Sequence, residues 1–143
     1  MTAIEGYFIE DLKPGISASF GKTVSEADIV MFAGVSGDTN PVHINQAFAE
    51  QTPFKTRIAH GMLSAGFISA VLGTKLPGPG AIYMSQTLRF KAPVKIGDTV
   101  TATCTVTEVI AEKRRAVLST ICKVGDTVVI EGEAMVMVPS RGK

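Results

Sequence analysis

Hydrophobic and polar positions alternate with period two through most of residues 81–138, in four runs rich in Thr, Val and Ile at 82–90, 99–110, 116–124 and 127–138. Such alternation sends successive side chains to opposite faces, so the pattern predicts four consecutive strands of an antiparallel meander. Residues 91–98 (KAPVKIGD), 111–115 (AEKRR) and the pair Gly125-Asp126 supply the turns, the last being a tight-hairpin signal. Ahead of this half, residues 16–24 alternate loosely and predict a first strand after the Lys13-Pro14-Gly15 turn. Ser25 then offers an N-cap with Glu26 and Asp28 in the first turn, and Ile29, Val30, Phe32, Ala33 and Val35 give the predicted helix its apolar side until residues 34–37 end it. Asn45 is placed to cap a short helix through Gln46, Ala47, Phe48 and Ala49. Residues 60–73 (HGMLSAGFISAVLG) are apolar nearly all round and rich in small residues; a helix with no polar face has to be enclosed on all sides. Residues 76–80 (LPGPG) stop it. An all-round apolar helix followed by a long meander has one economical packing, in which the sheet curls around the helix, and the predicted fold is α+β.

Composition changes that picture in one respect. The chain of 143 residues has room for a single domain over 1–143, with 1–12 as an N-terminal extension and 139–143 as a frayed tail. Its 45% hydrophobic against 19% charged residues, with a mean hydropathy of +0.28, leave more apolar surface than a small monomer usually shows. A second copy is the simplest cover, so a homodimer or higher homo-oligomer is expected. The formal charge of +1 and the lack of a Lys/Arg run argue against a nucleic-acid partner. The N-terminal stretch carries acids rather than a basic segment before an apolar run, and the apolar run at 62–72 is too short to span a bilayer. A cytoplasmic protein with no membrane partner is therefore expected. Cys104 and Cys122 lie in strand-like runs without metal-ligand spacing, and are expected to be buried, reduced and structural, with no metal site.

The candidate chemistry is concentrated at residues 32–49 (FAGVSGDTNPVHINQAFA). Gly37 permits positive φ, Asn40 favours an Asx-type turn, and Pro41 bars αR from the residue before it, so an irregular loop is predicted between Asp38 and His43. One carboxylate and one imidazole on an irregular loop can serve as an acid/base pair. The same residues also suit an ordinary structured loop with a capping Asp and a surface His.

That stretch resembles the hydratase motif of the MaoC-like (R)-specific enoyl-CoA hydratases, members of the hot-dog superfamily in which a sheet wraps a long helix. The likeness extends to His60-Gly61-Met62-Leu63, similar to the start of the family's central helix, to residues 76–83 (LPGPGAIY), and to residues 88–98 (LRFKAPVKIGD). The resemblance implies reversible addition of water to a trans-2-enoyl-CoA, giving an (R)-3-hydroxyacyl-CoA, with no cofactor. By the same likeness Asp38 and His43 are the catalytic pair, Gly61 lends its backbone N–H to the thioester oxygen, and Asn40, Met62 and Ser69 are substrate-side positions. His60 is expected to make a structural hydrogen bond. Lys55, Arg57, Arg89, Lys91, Lys95, Lys113, Arg114 and Arg115 are candidates for the CoA phosphates. The family also suggests polyhydroxyalkanoate supply or fatty-acid metabolism as a setting. The alternatives are a 3-hydroxyacyl-carrier-protein dehydratase, a thioesterase, or a non-catalytic thioester-binding subunit of the same fold.

Overall fold

The structure is a computed structural model and describes residues 4–142. Six strands form one antiparallel sheet in the order β1-β4-β5-β6-β2, with β3 also paired to β6. They are β1 (Ser17–Thr23), β2 (Ile82–Gln86), β3 (Arg89–Phe90), β4 (Thr99–Ile110), β5 (Arg115–Val124) and β6 (Thr127–Met137). The helices are α1 (Glu26–Ser36), α2 (Pro41–Ile44), α3 (Gln46–Ala49) and α4 (Gly61–Thr74).

The period-two rows do what alternation demands. Val100, Ala102, Cys104 and Val106 of β4 are buried, and they meet Leu118 and Cys122 of β5, Ile130, Ala134 and Val136 of β6, and Ile68, Val71 and Leu72 of α4 in one core. The sheet lies over α4 as predicted, in the hot-dog arrangement. The enclosure, however, covers one side only: Ser64, Ala65, Phe67, Ile68, Val71 and Leu72 are buried, whereas Met62, Gly66 and Ser69 are exposed. A single sheet covers one face of a helix, and small residues leave little apolar area on the other. In α1, similarly, Ile29 and Ala33 are buried while Val30 and Val35 of the expected apolar side stand in solvent.

The predicted strand 82–90 is broken. A register shift between Tyr83 and Ser85 and a gap before β3 divide it. Thr87 crosses over Gly132 of β6 so closely that any Cβ at 132 would collide with the Thr87 carbonyl. The crossing is fixed by Thr87 N–H donating to the Glu133 carbonyl at 2.9 Å and Glu133 N–H donating to Thr87 Oγ1 at 3.0 Å. Beyond it the chain re-enters the sheet at β3, which ends on Phe90.

Residues near both ends of the described stretch are tied in. Ile9 and Leu12 belong to the core, so residues 9–12 are part of the domain rather than an extension; residues 1–3 and 143 lie outside the described residues. The tail expected to fray is held at Ser140, whose hydroxyl donates to Glu10 at 2.5 Å, and at Arg141, which pairs with Asp11 at 2.7 Å. The Ser140 hydroxyl keeps the Glu10 carboxyl below its usual range, and the Arg141 guanidinium does the same for Asp11. No helix among the described residues is long and apolar enough to cross a membrane.

Candidate active site

Gly37 closes α1 in the left-handed region at φ 82°, its N–H donating to the Ala33 carbonyl at 2.9 Å, and this reversal turns the chain toward Asp38. Asp38 Oδ1 accepts the Asn40 N–H at 3.2 Å. Asn40 in turn accepts the Val42 N–H on its side-chain oxygen at 3.1 Å and is the N-cap of α2, with Pro41 in the first turn. His43 therefore sits on a one-turn helix and not, as the sequence suggests, on irregular loop; Asn followed by Pro is itself a helix-start signal. Asn40 acts on the backbone that carries the pair and is not part of the cavity lining.

His43 is buried, and its Nδ1 lies 2.7 Å from the Ile58 carbonyl oxygen. A carbonyl only accepts, so Nδ1 carries the proton and Nε2 keeps its lone pair. The backbone of His43 is clamped as well. Arg57 donates from Nε to the His43 carbonyl at 2.6 Å, while its Nη1 pairs with Glu26 at 2.6 Å. Arg57 is thus engaged in holding α2, and of the eight cations considered for CoA phosphates only Lys91 lines the cavity, paired with Glu131 at 3.6 Å.

Segment 57–60 stitches the pair to α4. Ile58 N–H donates to the Val42 carbonyl at 3.2 Å, and Ala59 N–H to the Val94 carbonyl at 2.7 Å. His60 then caps α4 and Gly61 is its first residue, with an N–H outside the helical i→i−4 ladder. The His60 ring is 2% exposed, stacks on His43 with centroids 3.9 Å apart, and sits 4.8 Å from Phe32. Its Nε2 lies 2.9 Å from the Asp38 carbonyl oxygen, and Nδ1 has no partner.

These residues border a cavity of about 480 Å³. Asp38, His43, His60, Gly61 and Met62 stand on its wall, and Phe54, Phe90, Val94, Val129 and Ile130 make it largely apolar. Asp38 is at the exposed rim and His43 inside. Ser64, one turn beyond Gly61, is also on the wall, with a buried hydroxyl that has no partner. Ser69, two turns along, is exposed and outside this cavity. Asp38, His43 and His60 form the one group among the described residues close enough to hold a metal ion, with one ligand atom of each within 4.8 Å of the others.

A family model described as MaoC like domain matches residues 12–131. The chain belongs to the MaoC-like family. Its similarity to the (R)-specific enoyl-CoA hydratase of Rhodospirillum rubrum is 66% identity, covering 95% of this chain and 94% of that one. It is 55% identical to the 3-hydroxybutyryl-CoA dehydratase of Methylorubrum extorquens, over 94% of this chain and 85% of the relative. Among solved structures, the unliganded R-hydratase of Pseudomonas aeruginosa superimposes with a TM-score of 0.91 at 43% identity, covering 96% of this chain and 89% of that one.

Within this MaoC-like chain the sequence pattern brings Asp38, His43, Gly61 and Met62 to one cavity. The structural hydrogen bond expected of His60 is present, to the Asp38 carbonyl, but the sequence did not reveal the engagement of Arg57, the approach of Phe90 to Gly61, or the stacking of His60 on His43. A lone arginine, a phenylalanine in an alternating run and a histidine beside a helix start carry no local signal of what they touch.

Proposed function

We propose that this chain is an (R)-specific enoyl-CoA hydratase, adding water reversibly and syn to a trans-2-enoyl-CoA to give the (R)-3-hydroxyacyl-CoA. The observation that carries the reading is the meeting of three groups at one apolar cavity: a carboxylate, an imidazole with its Nε2 lone pair unengaged, and a helix-start N–H at Gly61. Conjugate addition of water needs all three functions.

Asp38 and His43 hold one water between them. The His43 Nε2 accepts a proton as the water oxygen bonds to C3, the C2–C3 π electrons move toward the thioester, and the charge growing on its oxygen is met by the Gly61 N–H and the N-terminal dipole of α4. The C2 carbon then takes a proton from the same pair, the carbonyl re-forms, and the pair regains its starting charge state. Met62 and the apolar wall receive the acyl chain.

Purified protein is offered trans-2-enoyl-CoAs of increasing length, with the product resolved by a chiral coupled assay. Asp38→Asn and His43→Ala each lower turnover by about a hundredfold or more while the protein stays folded. Near-wild-type turnover in either folded variant removes that residue from the mechanism, and activity confined to enoyl-carrier-protein thioesters points to the dehydratase alternative. The functional unit is at least a homodimer. Strand β2 is at a sheet edge, paired among the described residues to β6 alone, and exposes Ile82, Tyr83 and Met84, an unprotected apolar edge of the kind that invites pairing. Light scattering that finds a stable monomer at working concentration overturns this.

A further inference from the structure

We infer that His60 is a positioning residue of the hydration reaction: its side chain fixes Asp38 and His43 relative to each other, while its backbone fixes Gly61. The inference rests on the hydratase reading above and extends it to a residue outside the acid/base pair.

The argument begins with connectivity. Asp38, His43 and Gly61 lie on three separate pieces of chain, the turn after α1, the one-turn helix α2 and the start of α4. His60 touches every piece. Its Nε2 reaches the Asp38 carbonyl at 2.9 Å, its ring stacks on His43 at 3.9 Å with an interplanar angle of 29°, and its own residue precedes Gly61 as the α4 N-cap. The carbonyl can only accept, so Nε2 carries the hydrogen and Nδ1 is the bare nitrogen.

Its surroundings make the ring a poor choice for simple core filling. At 2% exposure Nδ1 has no partner among the described residues, and an orphaned buried acceptor is destabilising. An aromatic hydrocarbon would fill the volume between Phe32 and His43 without that loss. What it could not do is donate to the Asp38 carbonyl. The His60 ring lies against the His43 ring, and its N–H pins the peptide from which Asp38 projects. Misplacement of reacting groups by about 1 Å can lower rate by two orders of magnitude, so a tie of this kind is expected to be read in kcat.

Two substitutions separate the donor from the ring. His60→Phe keeps the stack and removes the N–H; His60→Gln keeps an amide N–H of comparable reach and removes the ring. With wild type as the reference on an enoyl-CoA, His60→Phe is expected to lower kcat by about ten- to a hundredfold with KM changed less than threefold and the melting temperature held. His60→Gln is expected to recover at least part of that kcat. Wild-type kcat in folded His60→Phe overturns the inference, as does a loss expressed in KM alone or a glutamine variant no better than phenylalanine. Should both variants fail to fold, nitrogen NMR of histidine-labelled wild type decides: an Nε2–H tautomer for His60 is required, and an Nδ1–H tautomer overturns the inference, since the bond to Asp38 could not then form. An inactive wild type refutes the hydratase reading itself, and the tautomer measurement still tests the structural tie.

Discussion

A methyl group placed on Gly61 tests the oxyanion role at the smallest possible change. The added Cβ would stand 2.5 Å from Cε1 and 2.6 Å from Cδ1 of Phe90. Carbon pairs rest at roughly 3.5–4.0 Å, so the ring has to retreat by about 1 Å. Phe90 is 55% exposed and has solvent to turn into, which keeps the packing penalty small. Alanine also gains up to about 0.8–1.0 kcal/mol over glycine in helix propensity, an opposing term. The two together leave stability within about 1 kcal/mol, or a melting shift of a few degrees. Catalysis has no such compensation, because the methyl and the displaced ring both crowd the approach to the Gly61 N–H. Losing one oxyanion donor typically lowers kcat by about 10²–10³-fold. Gly61→Ala is therefore expected to melt like wild type and turn over enoyl-CoA about a hundredfold more slowly, followed by loss of enoyl-thioester absorbance. Adding Phe90→Ala frees the space the ring must vacate, and the double variant is expected to regain part of the rate. Wild-type turnover in Gly61→Ala would refute the reasoning, and so would a double variant no faster than the single, since the ring would then not be what transmits the clash.

Arg57→Lys removes the fork that reaches both Glu26 and the His43 carbonyl; stability is expected to fall by about 1–2 kcal/mol in a urea titration and turnover by several-fold, with Glu26→Gln showing a weaker effect in the same directions. Burial pushes the Cys104 thiol up to about 12 and Cys122 up to about 11, from an ordinary value of 9.0. A raised thiol pKa means the fold favours the protonated form, so this contribution is whole below pH 9 and is lost as pH rises from there toward the folded values. The melting temperature of wild type is expected to fall more steeply between pH 9 and 11 than that of Cys104→Ala, and thiol reagents at pH 8 are expected to label neither cysteine until the protein unfolds.

What was legible in the sequence followed from local physics. Thr/Val/Ile alternation located β4, β5 and β6 within a residue or two, and the Ser25 and Asn45 caps located α1 and α3, because these signals act over neighbouring positions. The Gly37-to-His43 spacing singled out Asp38 and His43 as candidates for the same reason, and both border the cavity. Long-range contacts were not legible. Arg57 stood as a candidate for the CoA phosphates because its partner Glu26 is 31 positions away, and the structural hydrogen bond expected of His60 had no visible partner because Asp38 is 22 away. The run 82–90 read as one strand since nothing in an alternating pattern announces a crossing over another strand.

That crossing gives position 132 an influence its chemistry does not suggest. Gly132 has no side chain and does not border the cavity that holds Asp38 and His43, yet its bareness lets the backbone at Thr87 dip against β6. The dip sets the height at which the chain returns as β3 and hence where Phe90 meets Gly61. Substitution at 132 would lift this stretch like a shim under a hinge, and the change would surface as altered tolerance for acyl groups at a doorway formed by residues no one had mutated.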